Sequence, residues 1–324
     1  MQQLLDMLNY MRPEGSNAQR LFCKKYLEPV FGEPDEDGNY FLLVGSKYPK
    51  IAFMAHHDTV HKDQGFQRIH VSSKGHVSLA EKNWSRSCLG ADCTTGVYII
   101  LRMIEADVPG VYIIHAGEEI GCVGSKALAK RRPPYLDKVE AAISFDRYGT
   151  TSVITHQMGE RTCSDEFATS LSSTLGMPYL TPDPTGAFTD SIEYIHFIPE
   201  CTNISVGYYN QHSVNESQDL NYLEELIGNL IDADWGALDI VRDPRDMIFR
   251  SSLDPWGDNY YNDSGGYQSA VRAETSFLAE LCSDYPEEVA DILRNVGYDA
   301  ASLLEDLNIN PTSHDLNRML EANY

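Results

Sequence analysis

Apolar segments of this chain repeatedly end at a histidine or a carboxylate. The stretches 51–55, 110–115, 139–145 and 204–208 are strand candidates, and each is closely followed by such a side chain. They alternate with segments whose apolar residues recur at helical spacing, which favours an α/β fold with a mostly parallel sheet. We therefore expect a three-layer sandwich. The carboxyl ends of parallel strands share one edge of the sheet, so the polar side chains should meet there.

Five short segments supply the side chains expected at this edge. They are Ala-His56-His57-Asp58-Thr-Val, Gly-Ala-Asp92-Cys-Thr-Thr-Gly, His-Ala-Gly-Glu118-Glu119-Ile-Gly, Ser-Phe-Asp146-Arg and Tyr-Asn-Gln-His212-Ser-Val-Asn-Glu. Alone, each has an ordinary explanation, such as a buried histidine, a helix cap or a surface turn. Together they contain enough imidazole and carboxylate groups to hold two zinc-like ions.

The spacing within the segments predicts how individual side chains are used. His56 and Asp58 are two positions apart at a strand end and share a side, so Asp58 can hold the imidazole from behind. His57 points elsewhere and is not expected to be a ligand. Glu118 and Glu119 are adjacent and must point in different directions. One of them can bind a metal ion while the other faces a metal-bound water.

The ordered set resembles the co-catalytic zinc exopeptidase clan, which contains peptidase families M28, M20 and M42. The resemblance extends over residues 1–231. It implies that one ion is held by three side chains, those of His56, Asp92 and Asp146. It implies that Asp92 bridges to a second ion, which is also held by Glu119 and His212.

The same resemblance assigns the remaining roles. Glu118 would be the general base, and Asp58 would orient an imidazole. The segment Thr189-Asp190-Ser191 is similar to an M28 segment near the substrate site, so Asp190 is a candidate substrate-binding residue. Cys93 departs from the pattern, because many relatives have an acid or an amide after the bridging aspartate.

Chain spacing indicates which family of the clan is most similar. M20 enzymes insert a lid domain between the positions of Asp146 and His212, and only 65 residues lie between them here. M42 enzymes insert a domain between the positions of His56 and Asp92, where this chain has only 35 residues. The core is therefore most similar to the compact M28 aminopeptidases.

The resemblance implies hydrolysis of peptide bonds at chain ends through a water that bridges two divalent ions. Zn²⁺ is the expected metal, with Co²⁺ or Mn²⁺ as alternatives, and the substrate is a peptide or an amino-acid derivative. We expect an aminopeptidase. Two alternatives stay open: an N-acyl amino-acid deacylase or M20-type carboxypeptidase, and a non-catalytic binding or structural protein that retains the fold.

Composition excludes some classes of partner. The net charge of −23 argues against binding nucleic acid through its phosphates. No apolar run approaches the roughly 18 to 20 residues of a membrane-spanning helix. The first residues have neither a basic segment nor an unbroken apolar core, so they do not form a signal peptide. Seven cysteines without a CxxC pair predict free thiols and a cytoplasmic location.

The carboxy-terminal part differs in charge from the rest. Residues 232–324 contain 19 acidic residues against 6 arginines and no lysine, a net charge of −13. We predict a catalytic domain over 1–238, an irregular linker over 239–266 and an acidic helical region over 267–324. Helices are expected at 270–281, 286–296 and 300–307. This region is a candidate for self-association or for binding a protein partner.

Overall fold

The computed structural model of the protein describes residues 1–45, 49–81 and 88–245. Its α-helices, in chain order, are α1 (Gln2–Met7), α2 (Asn17–Tyr26), α3 (Glu28–Phe31), α4 (Ala91–Glu105), α5 (Val123–Arg131), α6 (Asp165–Thr174) and α7 (Leu220–Asp232). Single turns of 3-10 helix lie at Pro134–Leu136 and Asp190–Tyr194.

Its strands, in chain order, are β1 (Tyr10–Met11), β2 (Tyr40–Val44), β3 (Ile51–His56), β4 (Gly65–Phe66), β5 (Ile69–Val71), β6 (His76–Leu79), β7 (Gly110–His115), β8 (Ala141–Arg147), β9 (Ser152–Ile154), β10 (His156–Gln157), β11 (Glu160–Arg161), β12 (Thr181–Asp183), β13 (Glu200–Ser205), β14 (Tyr208–Tyr209) and β15 (Ser217–Asp219). Seven of them form one sheet in the order β12-β9-β13-β8-β3-β7-β2. The four central strands β13, β8, β3 and β7 are parallel to one another. The edge strand β2 runs antiparallel to β7. A second, four-stranded sheet has the order β14-β15-β6-β5.

Both faces of the large sheet are covered, as the alternation along β3 shows. Phe53 and Ala55 belong to a core formed with α1, α2, α4, α6 and α7. Ala52 and Met54 belong to a smaller core on the opposite face, together with residues of α5 and the two 3-10 turns. Successive strand side chains point to opposite faces, so each face of β3 is buried under its own layer of helices. The predicted three-layer α/β sandwich is confirmed.

Helix α4 lies unusually close to the sheet. A Cβ atom at Gly96 would be 2.3 Å from the carbonyl oxygen of Phe145 in β8 and 3.0 Å from the Cβ of Ala55 in β3. Only a glycine fits such a contact between helix and strand backbones. The close contact brings the first turn of α4, with Asp92, near the carboxyl ends of β3 and β8.

The structure shifts several predicted boundaries. The strand predicted at 204–208 is wrong in position, because β13 spans Glu200–Ser205. The buried polar side chains Glu200, Thr202 and Asn203 break the apolar pattern, yet all three are hydrogen-bonded in the interior. The strand predicted from 139 begins at 141. Residues 96–104 are apolar at helical spacing, but the helix that contains them, α4, begins earlier, at 91, where two threonines and a cysteine obscure the periodicity.

Residues 239–245 of the predicted linker contact the α/β domain. The amides of Val241 and Arg242 donate to Glu200 Oε1 at 2.9 and 2.8 Å. The Arg242 side chain donates to the carbonyl oxygens of Ile195 and Ile198 at 2.7 and 3.1 Å. The rest of the linker and the three helices predicted after it lie outside the described residues. Within the described ranges, no helix is long and apolar enough to cross a bilayer.

Candidate metal centre

A cavity of about 200 Å³ opens at the carboxyl ends of the parallel strands. Six of the residues predicted from the sequence line it: His56, Asp92, Glu118, Glu119, Asp146 and His212. They come from five separate places in the chain, namely the ends of β3 and β8, the start of α4, and the loops after β7 and β14. Parallel strand ends and a helix amino terminus therefore gather the residues of all five segments at one site.

The second predicted ligand set is assembled in the structure. Asp92, Glu119 and His212 place one donor atom each within 4.8 Å of the others. His212 Nε2 lies 2.7 Å from Asp92 Oδ2 and 3.3 Å from Glu119 Oε1. The backbone of His212 has a φ of 58°, in the left-handed region that non-glycine residues rarely adopt. Such an unusual conformation at a loop residue is common where a side chain must be aimed at a functional site.

The first predicted ligand set, His56, Asp92 and Asp146, does not form a compact cluster of its own. His56 Nε2 lies 3.6 Å from Asp146 Oδ1, as the resemblance implies. The compact cluster around His56, however, contains Glu118 and Glu119 instead of Asp92 and Asp146. Glu119 is therefore the residue shared by the two clusters in this arrangement. Asp92 and Asp146 line the same cavity and stay within the ligand set that we propose.

Asp58 occupies the supporting position expected for it. The side chain is fully buried, and Oδ1 lies 3.3 Å from His56 Nδ1. The same carboxylate accepts the amides of Glu118 at 3.1 Å and of Glu119 at 3.0 Å. Burial alone would raise the pKa of Asp58, but the hydrogen bond and charge of His56 and the amide of Glu119 bring it below its usual value. One carboxylate thus fixes the imidazole and the loop of the paired glutamates.

Three groups that hold Asp146 were missed by the sequence analysis. The Thr189 hydroxyl donates to Asp146 Oδ2 at 2.8 Å. Asn203 accepts the Asp146 amide at 2.9 Å and donates to its carbonyl at 2.8 Å, and the Tyr208 hydroxyl donates to the same carbonyl at 3.1 Å. Threonine, asparagine and tyrosine carry no metal-site signal in a sequence. Thr189 stands next to the candidate Asp190, and Tyr208 ends the strand candidate 204–208, but neither position indicated a contact with Asp146.

The carboxylates of the site differ in pKa because their neighbours differ. Burial would raise the pKa of Asp92, but the hydrogen bond from His212 and the charge of His56 lower it to about 2. Glu118 is only 6% exposed, and burial raises its pKa well above the usual value, with the charges of Asp146 and Asp190 adding to the effect. Glu118 therefore has the character of a proton acceptor, and Asp92 that of a permanently charged ligand.

Asp190 and His57 lie beside the site. Asp190 begins the 3-10 turn behind Asp146, is 1% exposed, and is not among the residues that line the cavity. Burial raises its pKa to about 8. Its predicted contact with substrate remains a prediction. His57 is occupied elsewhere, because its Nδ1 lies 3.0 Å from Gln19 Nε2 and its Nε2 3.2 Å from the carbonyl oxygen of Gly38.

The other wall of the cavity is largely apolar. It includes Ile154, Ala187, Phe188, Tyr148 and Tyr208. Phe188 and Tyr148 are 46% and 43% exposed, so they form the outer rim. The cavity thus has a charged half that suits a metal centre and an apolar half that suits a substrate side chain.

The donor set fits a divalent ion. Imidazole nitrogen and carboxylate oxygen are the ligands that zinc takes when no thiolate is present. Cys93, the residue after Asp92, is fully buried and does not line the cavity, and its Sγ accepts a hydrogen bond from the guanidinium of Arg12 at 2.9 Å. The site residues are therefore those of a hard, mixed nitrogen and oxygen centre.

Comparison with known proteins agrees with this chemistry. Residues 42–179 match the family model of peptidase family M28. No curated protein sequence matches the chain.

Several solved structures share the fold. An aminopeptidase PepT from Bacillus cereus is 14% identical, with a TM-score of 0.54 over 71% of this chain and 96% of that one. A tripeptidase from Staphylococcus aureus is also 14% identical, with a TM-score of 0.56 over 71% and 95%. The TET1 peptidase of Pyrococcus horikoshii, which can assemble into a tetrahedron or a large octahedral shell, is 16% identical, with a TM-score of 0.55 over 74% and 99%. Residues 42–179 are thus similar to peptidase family M28, and the solved structures show that the chain has the fold of these peptidases.

Proposed function

We propose that the protein is a metal-dependent exopeptidase that removes residues from the amino terminus of peptides. One observation carries the proposal. Six side chains from five distant segments line a single cavity, and the buried Glu118 is among them. The cavity, at about 200 Å³, is smaller than the roughly 300 to 1,000 Å³ of drug-sized ligand sites, which favours binding of a chain end over binding of a long peptide segment.

Two divalent ions, with zinc as the expected species, would be held by the side chains of His56, Asp92, Asp146, Glu119 and His212. Bound ions supply a Lewis acid for the scissile carbonyl and lower the pKa of a bound water towards neutral. Asp92 would be a charged ligand at neutral pH, because the hydrogen bond from His212 and the charge of His56 lower its pKa to about 2 despite its burial.

The chain's own groups account for the remaining chemistry. Glu118 accepts a proton from the attacking water at its carboxylate and delivers it to the leaving nitrogen. The raised pKa makes Glu118 a better proton acceptor than an exposed glutamate. Asp58 fixes the Glu118 amide, and with it the direction in which the Glu118 side chain leaves the backbone. The apolar wall with Phe188 and Tyr148 would contact the side chain next to the scissile bond and exclude water from it.

A second candidate activity is the hydrolysis of substrates that present a carboxylate, as carboxypeptidases and N-acyl amino-acid deacylases do. Arg147 favours it, because it lines the cavity beside Asp146. Guanidinium groups bind carboxylates through paired hydrogen bonds. Arg147 is, however, already paired with Asp183 at 3.2 Å. Its charge is therefore partly neutralised, and we place the aminopeptidase first.

Purified protein loaded with zinc, cobalt or manganese tests both activities. Amino-acid p-nitroanilides and short peptides report aminopeptidase activity, and N-acetyl amino acids and amino-blocked peptides with a free carboxyl terminus report the second candidate. We expect hydrolysis of the first group and its loss on chelation. Absence of turnover with every substrate and every metal would leave a binding protein with this fold as the better description.

The variant Glu118→Gln tests the assignment of the base. Loss of a general base costs about 10²- to 10⁴-fold, so we expect kcat to fall by that factor while zinc content stays unchanged. Glu140→Gln, at the exposed opposite end of the sheet, is the matched control. Undiminished turnover by Glu118→Gln would refute the role of Glu118.

Three further expectations complete the proposal. Six cysteines within the described residues are buried and unpaired, which agrees with a reducing, cytoplasmic compartment. The similarity to the TET1 peptidase, which assembles into shells, favours a homo-oligomer for this chain. Measurement of the molecular mass of the protein in solution tests this expectation. For the acidic region 267–324 we retain the predicted role in self-association or partner binding. Truncation near residue 245, followed by assays of size and activity, tests that role.

A further inference from the structure

Glu216 is a fully buried carboxylate that no part of the mechanism uses so far. It lies just before β15 and accepts four consecutive backbone amides. Oε2 accepts the amides of Leu89 and Gly90 at 2.7 and 2.9 Å. Oε1 accepts those of Ala91 and Asp92 at 2.7 and 3.3 Å. All the described acceptor contacts of this side chain therefore go to the start of α4.

Helix α4 has no cap of its own. The first amides of a helix lack partners within it, and a side chain at the N-cap position usually accepts one of them. Here the N-cap is Gly90, with a left-handed φ of 71° and no side chain. A Cβ atom at Gly90 would lie 3.0 Å from His61 Cε1 and 3.2 Å from Thr59 Cγ2, so a capping side chain has no room. Glu216 supplies the missing acceptors from 124 positions away from Asp92.

The same short loop also provides a predicted metal ligand. His212 stands four residues before Glu216, and its Nε2 lies 2.7 Å from Asp92 Oδ2. Asp92 is thus held by one loop at two points, through its side chain by His212 and through its amide by Glu216. A displacement of the first turn of α4 would move Asp92 relative to both His212 and Asp146.

We propose that Glu216 is a positioning residue for the metal centre, which fixes Asp92 by holding the amino terminus of α4 in register with the His212 loop. The metal part of this inference rests on the proposed function. The four hydrogen bonds from the amides of residues 89–92 to Glu216, which we call the clamp, do not depend on it.

Glu200 offers a matched control for a purely structural role. It is also fully buried, and it accepts four hydrogen bonds, from the amides of Ser164, Val241 and Arg242 and from the Ser164 hydroxyl. It lies at the amino end of β13, whereas the cavity lies at the carboxyl ends of the strands. A glutamine at either position keeps the size but replaces one acceptor oxygen with a donor that faces backbone N–H groups.

The experiment compares Glu216→Gln with Glu200→Gln in the full-length chain. Urea unfolding without metal should show a lower midpoint for both variants. Zinc binding, measured by competition with a chromogenic chelator, should weaken about 10- to 100-fold in Glu216→Gln and stay within about twofold of the unaltered protein in Glu200→Gln. Equal zinc affinity in the two variants would overturn the proposal. Failure of the unaltered protein itself to bind zinc would instead refute the proposed function.

Hydrogen exchange tests the clamp without metal and without activity. In the unaltered chain the amides of residues 89–92 should be protected, because all four are bonded to a buried acceptor. In Glu216→Asp, which keeps the carboxyl group on a side chain one methylene shorter, protection should fall and zinc affinity should lie between those of the unaltered chain and Glu216→Gln. Rapid exchange of these amides in the unaltered chain would contradict the clamp, even if Glu216→Gln did not fold.

Discussion

The neighbouring strands β3 and β8 have a pair of opposite charges at each end, and the two pairs are very different. At the amino end, Lys50 Nζ lies 2.9 Å from Glu140, with side chains 68% and 39% exposed. At the carboxyl end, His56 Nε2 lies 3.6 Å from Asp146, with side chains 2% and 12% exposed. The strands are in parallel register over Ile51–Met54 and Ala141–Ser144, so the same pairing brings both sets of charges together.

The comparison shows that burial, more than distance, decides what a charge pair can do. The exposed pair is shorter but is screened by water, and such pairs contribute about 0 to 1 kcal/mol. The buried pair interacts in a medium of low polarity, where neighbouring charges shift each other's pKa. Burial would lower the pKa of His56, but the hydrogen bonds to Asp146 and Asp58 raise it well above its usual value. The carboxyl end is therefore the end suited to chemistry.

The largest effect that we expect from this difference is a loss of folding stability in acid, which arises from a buried histidine at the carboxyl end of the sheet. His61, in the loop after β3, is 2% exposed, and burial followed by the charge of Arg12 lowers its pKa to about 4. Between pH 6.5 and 4 the unfolded chain binds a proton at this position that the folded chain does not, so the contribution of His61 to stability falls as the pH falls through this window. The loss is about 3 kcal/mol, from about 1.4 kcal/mol per unit of pKa shift.

Urea unfolding of the metal-free protein at several pH values measures this loss. His61→Gln should be less sensitive than the unaltered chain between pH 6.5 and 4, whereas His70→Gln, at an exposed position in β5, should behave like the unaltered chain. Identical pH dependence in the unaltered chain and His61→Gln would show that His61 does not remain neutral in the folded state.

The next effect concerns the carboxylate behind the buried pair. In Asp58→Asn, one acceptor oxygen becomes a donor, so the His56 imidazole and the amides of Glu118 and Glu119 can no longer all be satisfied. We expect zinc affinity to fall about 10- to 100-fold and the free energy of unfolding to fall by about 1 to 3 kcal/mol. Calorimetric titration with zinc measures the first and urea unfolding the second. Unaltered zinc affinity would mean that Asp58 does not orient His56.

The smallest effect should come from the exposed pair. Lys50→Ala removes a shorter ion pair than the buried one, yet the free energy of unfolding should change by less than about 1 kcal/mol, and by less still at high salt. Zinc affinity and turnover should not change. A loss as large as that of Asp58→Asn would contradict the view that burial separates the two ends.

Much of the fold and of the site followed from local sequence signals. β7 coincides with the strand predicted at 110–115, because it is a short apolar run with clear ends. The six residues that line the metal side of the cavity were predicted because histidines and carboxylates at strand ends are unusual enough to be noticed. β13 was misplaced because its buried polar residues satisfy their hydrogen bonds only in the folded chain.

Glu216 illustrates the limit of a sequence interpretation. It stands at the end of the segment that begins with Tyr209, so it was in view, but nothing local distinguishes it from an exposed loop glutamate. Its role depends on four amides more than 120 residues earlier in the chain. Thr189 and Asn203 escaped notice for the same reason, since their partners are also distant in sequence.

The contact at Gly96 determines how closely α4, which carries Asp92, packs on the sheet. With no side chain at this position, α4 rests directly on the backbone of β8, and the turn that carries Asp92 has a fixed height above Asp146. Even a single methyl group at position 96 would push α4 away from the sheet. Substitutions there should therefore weaken the packing of α4 on the sheet and displace Asp92 relative to Asp146, so that a change at position 96 affects the fold and the site together.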